Sequence, residues 1–307
     1  MRVTAANTFE SAIANLQSRQ QDLSDSQNRM TSGKRVQVAS DDPVAAARAE
    51  RALASMVRSE ANQRALEASR NVMQQAETAL GDAGELMQQA REMVVNAGDG
   101  SYSDSDRKTL ASALQGMRDQ LLSVANRTDG SGSFVFAGQG TDSPPFVDTP
   151  AGVTYRGAGG QSNAPSDEAL PLSVDGQQAW LTAPNGSAAP LSVFNLLDKI
   201  IGQLNTPGLT GDQIKQNVTD GLKDLDTVAN NLTTQRAAAG ETLNRTDSVE
   251  TRISATKLAA QTERSNAEDL DMVQAVSEFQ NKQSGYDAAL KSYSLVQKLS
   301  LFQYLSA

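Results

Sequence analysis

Residues 9–30 read FESAIANLQSRQQDLSDSQNRM, and residues 272–293 read MVQAVSEFQNKQSGYDAALKSY. In the first stretch Phe9, Ile13, Leu16, Gln20, Leu23, Gln27 and Met30 recur at alternating intervals of four and three. In the second, Met272, Val276, Phe279, Gln283, Tyr286, Leu290 and Tyr293 do the same, with Leu299 and Phe302 beyond them. This is the heptad of a coiled-coil seam, interrupted by glutamines that can set register at some cost in stability. A large apolar side chain left in water forgoes about 1.5–3 kcal/mol of burial, so each terminal helix requires a partner surface. The first candidate is the opposite terminus.

Working inward, the first helix meets a stop at Thr31-Ser-Gly-Lys-Arg35, where Gly33 suits the left-handed position after a helix and the cations suit the negative end of its dipole. A second helix starts at Ser40-Asp-Asp-Pro43, with Asp42 as cap and Pro43 in the first turn, where no donor is missed. Leu66, Ser69, Met73, Ala76, Leu80, Ala83, Met87, Ala90 and Val94 keep heptad spacing along it, and the small members allow close helix approach. The chain turns back after Asn96-Ala-Gly-Asp-Gly-Ser101. Ser103–Asp106 caps a third helix carrying Leu110, Leu114, Met117, Leu121 and Val124 on one face. A short helix is expected over 191–204, and one long helical region from about Asp212 to the C-terminus.

Between these flanks the composition changes. Residues 127–191 hold 10 of the 22 Gly and 7 of the 9 Pro, which excludes a long helix there. Strands are expected at 133–137, 152–156, 170–174 and 178–182, each bounded by turn formers. The segment carries six acidic and two basic residues and few large apolar ones, so it reads as a loop-rich outer module with little core of its own. The expected fold is therefore mainly α with a small β insertion: an elongated nested helical bundle and coiled coil built from both ends of the chain. Its divisions are 1–37 with 268–307 as a terminal coiled-coil assembly domain, 38–132 with 190–267 as a helical rod domain, and 133–189 as a β-rich outer module.

The 307 residues include no His and no Cys, which removes imidazole triads, thiol nucleophiles, zinc sites with those ligands and disulfides. A net charge of -9 with no basic face argues against nucleic acid as a partner. No run approaches the roughly 18 apolar residues of a membrane span, and Met1–Glu10 lacks the pattern of a cleaved signal, so no membrane insertion is expected. The two ends, residues 1–35 and 268–307, are neutral in sum, and the whole excess of acid lies between them. Such ends can crowd against copies of themselves while the middle stays solvated.

The remaining candidates for chemistry have simpler readings. Asp41 and Asp42 explain themselves as a helix cap better than as an acid–base pair. Gly138-Gln-Gly140 and Gly157–Gly160 lack the Gly-Lys-Ser/Thr of a phosphate loop, and Asp129, Asp142, Asp148 and Asp175 lack the spacing of a calcium loop. Phe279, Tyr286, Tyr293, Phe302 and Tyr304, five of the 13 aromatics, crowd the last 29 residues without any cofactor-binding loop. They read as packing residues, and neither cofactor nor metal is expected.

The stretches 23–36 and 39–46, with the C-terminal helix from Met272 to Leu305, resemble the terminal signatures of the bacterial flagellin superfamily. Asp41-Asp42-Pro43 and residues 132–146, GSFVFAGQGTDSPPF, resemble the members that join hook to filament more than the filament subunits, as does the unusual ending from Leu301 to Ala307. The resemblance implies a structural subunit with no enzymatic activity, exported without signal cleavage to the extracellular flagellum and stacked in a ring with other copies of itself. It implies the first hook-associated protein on one side, flagellin on the other, and a cytosolic export chaperone. A filament-forming subunit is the alternative within the family, and a coiled-coil adhesin or sensor with a β head the alternative outside it.

Unpaired seams cannot offset about 1–2 kcal/mol of backbone entropy per ordered residue, so both ends of the dilute monomer should be loosely held. Limited proteolysis should cut first before about Asp42 and after about Asn266. Equal protection of both ends in the monomer would contradict this.

Overall fold

In a computed structural model of the chain, residues 2–140, 143–186 and 189–305 are described, with side chains for 9–140, 143–186 and 189–295. The elements are α1 (Arg2–Ser32), α2 (Pro43–Ala97), α3 (Asp104–Ala125), β1 (Phe146–Thr149), β2 (Gly152–Tyr155), a π-helical turn (Gln177–Leu181), α4 (Val193–Leu204), α5 (Gly211–Glu268) and α6 (Met272–Leu305). They form two units: Met1–Arg58 with Ala255–Ala307, and Ser59–Ser254.

In the Ser59–Ser254 unit the expected α2 seam is realised in full. Every member from Leu66 to Val94 is buried, Ser69 included. Against it pack Leu114 and Leu121 of α3, and Leu225, Val228, Leu232 and Ala239 of α5. Ser103 caps α3 with a reciprocal capping box to Asp106, and Ser192 caps α4. Ion pairs Arg70–Asp247, Arg91–Asp226 and Arg236–Glu77 line the α2/α5 pairing; being largely exposed, each adds little to stability and more to register.

The Gly/Pro-rich segment departs from expectation in two ways. First, it is no passive head. Val135, Phe136, Phe146, Val174 and Trp180 belong to the same core as the helices. Trp180 stacks on Phe194 at 6.0 Å and meets Phe136 edge-on at 5.5 Å. Leu170 instead joins a second cluster with Leu66, Val249 and Ile253. Second, among the described residues the sheet is one antiparallel hairpin, Phe146↔Tyr155 to Thr149↔Gly152.

Of the four expected strands, 152–156 matches β2. Segments 133–137 and 170–174 make isolated bonds, such as Val174 N to Val135 O at 2.8 Å, and then turn away. Gly138 enforces one of those turns with φ +69°, where a Cβ would lie 1.7 Å from the Ala158 carbonyl oxygen. Residues 178–182 instead fall largely in the π-helical turn, because Asn231 Nδ2 donates to the Gln178 and Ala179 carbonyls and the helical backbone needs no sheet partner.

The hairpin is fastened from below. Asn126, which caps the end of α3, donates to Phe146 O at 2.8 Å and accepts from Phe146 N at 3.0 Å. The buried Arg118 guanidinium reaches both oxygens of Asp148, at 2.7 and 2.9 Å, and also contacts Asp198 of α4. The hydrogen bonds from Arg118 hold the Asp148 carboxyl below the ordinary carboxylate range. Tyr155 donates to Phe136 O at 3.1 Å, and burial pushes its hydroxyl up to about 12.

The C-terminal half also differs. In place of one continuous helix from Asp212, α5 ends at Glu268 and α6 starts at Met272. Asp271 Oδ1 accepts from Val273 N and Gln274 N, capping a new helix.

Phe136 is wholly buried between helices and hairpin. Phe136→Ala should therefore destabilise the Ser59–Ser254 unit by about 3–5 kcal/mol, read as a lowered midpoint in denaturant titration. A loss under 1 kcal/mol would restore the reading of a passive outer module.

Candidate functional site

The remaining unit is built from α1, the start of α2, the end of α5, and α6. Helices α1 and α6 run antiparallel: Leu270 N donates to Gly33 O at one end, and Phe9 meets Tyr293 edge-on at 6.1 Å toward the other. Among the described side chains the α1 residues covered are Phe9, Ala12, Leu16, Leu23, Ser26 and Met30; those of α6 are Ala275, Phe279, Lys282, Tyr286, Ala289 and Tyr293, with Gly285 beside Arg19. Both series are heptads, and they share every seventh residue with the stripes read from sequence. The alternate positions differ by one. Small Ala12, Ser26, Ala275 and Ala289 face inward in place of Ile13, Gln27, Val276 and Leu290, which lets the helices approach closely.

A second stripe is thereby left on the outside. Ile13, Met272, Val276 and Leu290 are exposed, Leu290 by 41%, and Val273 and Leu295 join them. The expected seam thus divides in two: Phe9, Leu16, Leu23, Met30, Phe279, Tyr286 and Tyr293 are half-buried within the chain, and Ile13, Met272, Val276 and Leu290 face solvent. The side chains of Leu299 and Phe302 lie outside the described residues.

The core of this unit is thin. Among the described residues its buried members are Ser26, Val36, Ala45, Ala49, Ala52, Ala260, Ala267 and Ala275, none larger than Val. Ten of the eleven exposed large apolar residues among those described belong to it. Apolar groups are here distributed in reverse, small inside and large outside, which is what a surface awaiting further packing looks like.

Where α1 meets α2 and α5 meets α6, the two breaks are clasped. Arg35 N and Val36 N donate to Glu268 O at 2.7 and 3.3 Å, and Arg35 Nη2 donates to Ala267 O at 2.9 Å. Lys34 pairs with the Glu268 carboxylate at 3.2 Å. Gly33 takes the left-handed conformation, φ +69°, and Asp42 caps α2 through Ala45 N at 3.0 Å with Pro43 in the first turn, as expected. Hydrogen bonds from the Gln37 and Val38 amides lower the Asp41 carboxyl, and those from Ala45 N and the Arg35 side chain lower Asp42. Both carboxylates are engaged in turn geometry. The sequence reading had no partner for Arg35 or Lys34, and the only available sign of the second break was Asp271 ahead of a heptad.

Other candidates have structural employment. Asp129 accepts from the Ser131 and Ser133 amides, Asp148 pairs with Arg118, and Asp175 accepts from Gly160 N and Gln178 N; Asp142 lies outside the described residues. The Gly138 and Gln139 amides are bonded to Val174 O and Ala158 O and cradle no phosphate. Among the described residues no cluster of three or more Asp, Glu, His or Cys is placed to hold a metal, and no helix is long and apolar enough to cross a membrane.

Residues 5–141 match the bacterial flagellin N-terminal helical region, and residues 222–305 the bacterial flagellin C-terminal helical region. The flagellar hook-associated protein 3 of Salmonella typhimurium is 31% identical over 320 residues, covering 99% of this chain and 99% of that protein. Flagellin of Bacillus subtilis is 24% identical, covering 90% of this chain and 88% of that one. The crystal structure of Xanthomonas campestris FlgL has a similar fold, with TM-score 0.59 at 20% identity over 69% of this chain and 99% of that one.

Nothing stands within 4 Å of a Cβ built on Gly33, so Gly33→Ala would be strained by its backbone alone. The expected loss is about 1–2 kcal/mol in thermal unfolding of the clasp region, with Gly33→Asn losing less. Unchanged stability in Gly33→Ala would mean that the turn is not held in this conformation.

Proposed function

The chain belongs to the bacterial flagellin family, and on that premise we propose that it is the structural subunit joining hook to filament. The near full-length likeness to hook-associated protein 3, stronger than that to a filament flagellin, supports the junction assignment. The observation that carries the mechanism is the reversed apolar distribution of the α1/α6 unit. Its inner seam closes the monomer with small residues, while Ile13, Met272, Val276 and Leu290 remain for helices of neighbouring copies. Each large residue covered in an assembled ring adds about 1.5–3 kcal/mol, repeated in every subunit. Leu299 and Phe302 complete this seam in the proposal.

The finer reading follows the family. The subunit has no catalytic role, leaves the cell unfolded without cleavage of a signal, and is accompanied to the export apparatus by a chaperone. It then forms a ring outside the cell between the first hook-associated protein and flagellin. The three-part division, with 1–37 and 268–307 as the assembling ends, belongs to the same proposal, amended in that residues 133–189 contribute core to the helices.

Leu290→Asp tests it. Leu290 is exposed in the single chain, so the monomer should fold and unfold as the wild type does, while cells carrying the variant should show hooks without attached filaments by electron microscopy, as a deletion should. Attached filaments in the variant would reject the seam. Hooks that keep their filaments in the deletion would reject the junction role. Long filaments formed by the overproduced protein alone would favour a filament subunit.

A further inference from the structure

Arg107, near the start of α3, is enclosed by the ends of α2, α4 and α5. Its side chain is 11% exposed, and its one ion pair, Nη2 to Asp104 Oδ1, is loose at 3.6 Å. Nη1 is buried and has no hydrogen-bond partner among the described residues. An orphaned charged donor carries the full penalty of its lost hydration, so a partner of some kind is demanded there.

Beside it lies a small void, open in part to solvent, lined by Arg107, Gln203 and Asn217 among apolar walls that include Val94, Ile200 and Val218, with about 20 Å³ of room at its base. A water molecule fits there. The polar lining has valence to spare. Gln203 Nε2 donates to Asn217 Oδ1 at 3.2 Å, which leaves Gln203 Oε1 as an acceptor and Asn217 Nδ2 as a donor.

We infer that this void holds a single structural water, accepting from Arg107 Nη1 and Asn217 Nδ2 and donating to Gln203 Oε1. Three hydrogen bonds are the usual complement of a buried water. A halide would match the two donors but would meet the Gln203 oxygen with like polarity. Water satisfies all three. It ties α3, α4 and α5 at the mouth of the loop between α4 and α5, where Gly208 N already donates to the Asp104 carboxylate at 3.1 Å. The inference is independent of the flagellar role.

The test is a crystal structure of the full chain at a resolution that shows ordered solvent, with parallel crystals soaked in bromide. A solvent peak at hydrogen-bonding distance from all three atoms, without anomalous bromide signal, is expected, and Asn217→Leu or Arg107→Met should abolish it. A bromide peak at the position would make this an anion site. An empty void, or a protein acceptor on Nη1, would equally overturn the inference.

Discussion

The structure depends on a chain that returns to its own beginning. Residues 33–36 meet residues 268–270 through backbone hydrogen bonds, and for a flexible chain the closure of so long a loop costs on the order of 5 kcal/mol. An alanine-built seam and a handful of exposed ion pairs offset little of this. The core of the Ser59–Ser254 unit meets most of it beforehand, because α2 and α5 already lie together there through Leu80, Met87, Leu225 and Leu232. Local order in one part of the chain is thus the condition for non-local pairing in another.

The two units use the hydrophobic effect in opposite ways. In one, five aromatic rings, Phe136, Phe146, Tyr155, Trp180 and Phe194, gather at the hairpin, and Asn126, Asn231 and Arg118 bond Phe146, the Gln178 and Ala179 carbonyls and Asp148 around them. In the other, the fully buried positions among the described residues are mostly alanine, the large residues of the inner seam are only half-buried, and ten further large apolar side chains stay outside. The first arrangement completes a monomer. The second leaves free energy of burial unrealised in the single chain, which is the reserve the proposed assembly would draw on.

Helix limits were legible at Gly33, at Asp42 with Pro43 and at Ser103, which mark real boundaries, but not at Asp271, whose cap sits between two segments that both read as helix. The α2 seam was legible because it is continuous and fully covered. Register on α1 and α6 was ambiguous for a physical reason: Phe9, Leu16, Leu23 and Met30 belong equally to the inner seam through Ala12 and to the outer stripe through Ile13, and a period of seven cannot say which flank faces the partner. The Gly/Pro-rich segment was misjudged because its short apolar runs fit a strand and an irregular buried loop alike. What decides between them is Asn231, some 50 residues downstream of the turn it holds. The clasp partners of Arg35 were beyond reach for the same reason, since Ala267 and Glu268 offer it main-chain oxygens that no side-chain pattern announces.

Trp180 is the sole tryptophan, is fully buried, and stacks on Phe194 in the Ser59–Ser254 unit, whereas the α1/α6 unit contains none. The molecule therefore carries an intrinsic optical label on one of its two units. Tryptophan emission, excited beyond the tyrosine absorption edge, follows the integrity of the aromatic core and does not report on the tyrosines of the terminal helices. Far-ultraviolet dichroism responds to both, so the difference between the two signals isolates changes in the helices of the α1/α6 unit.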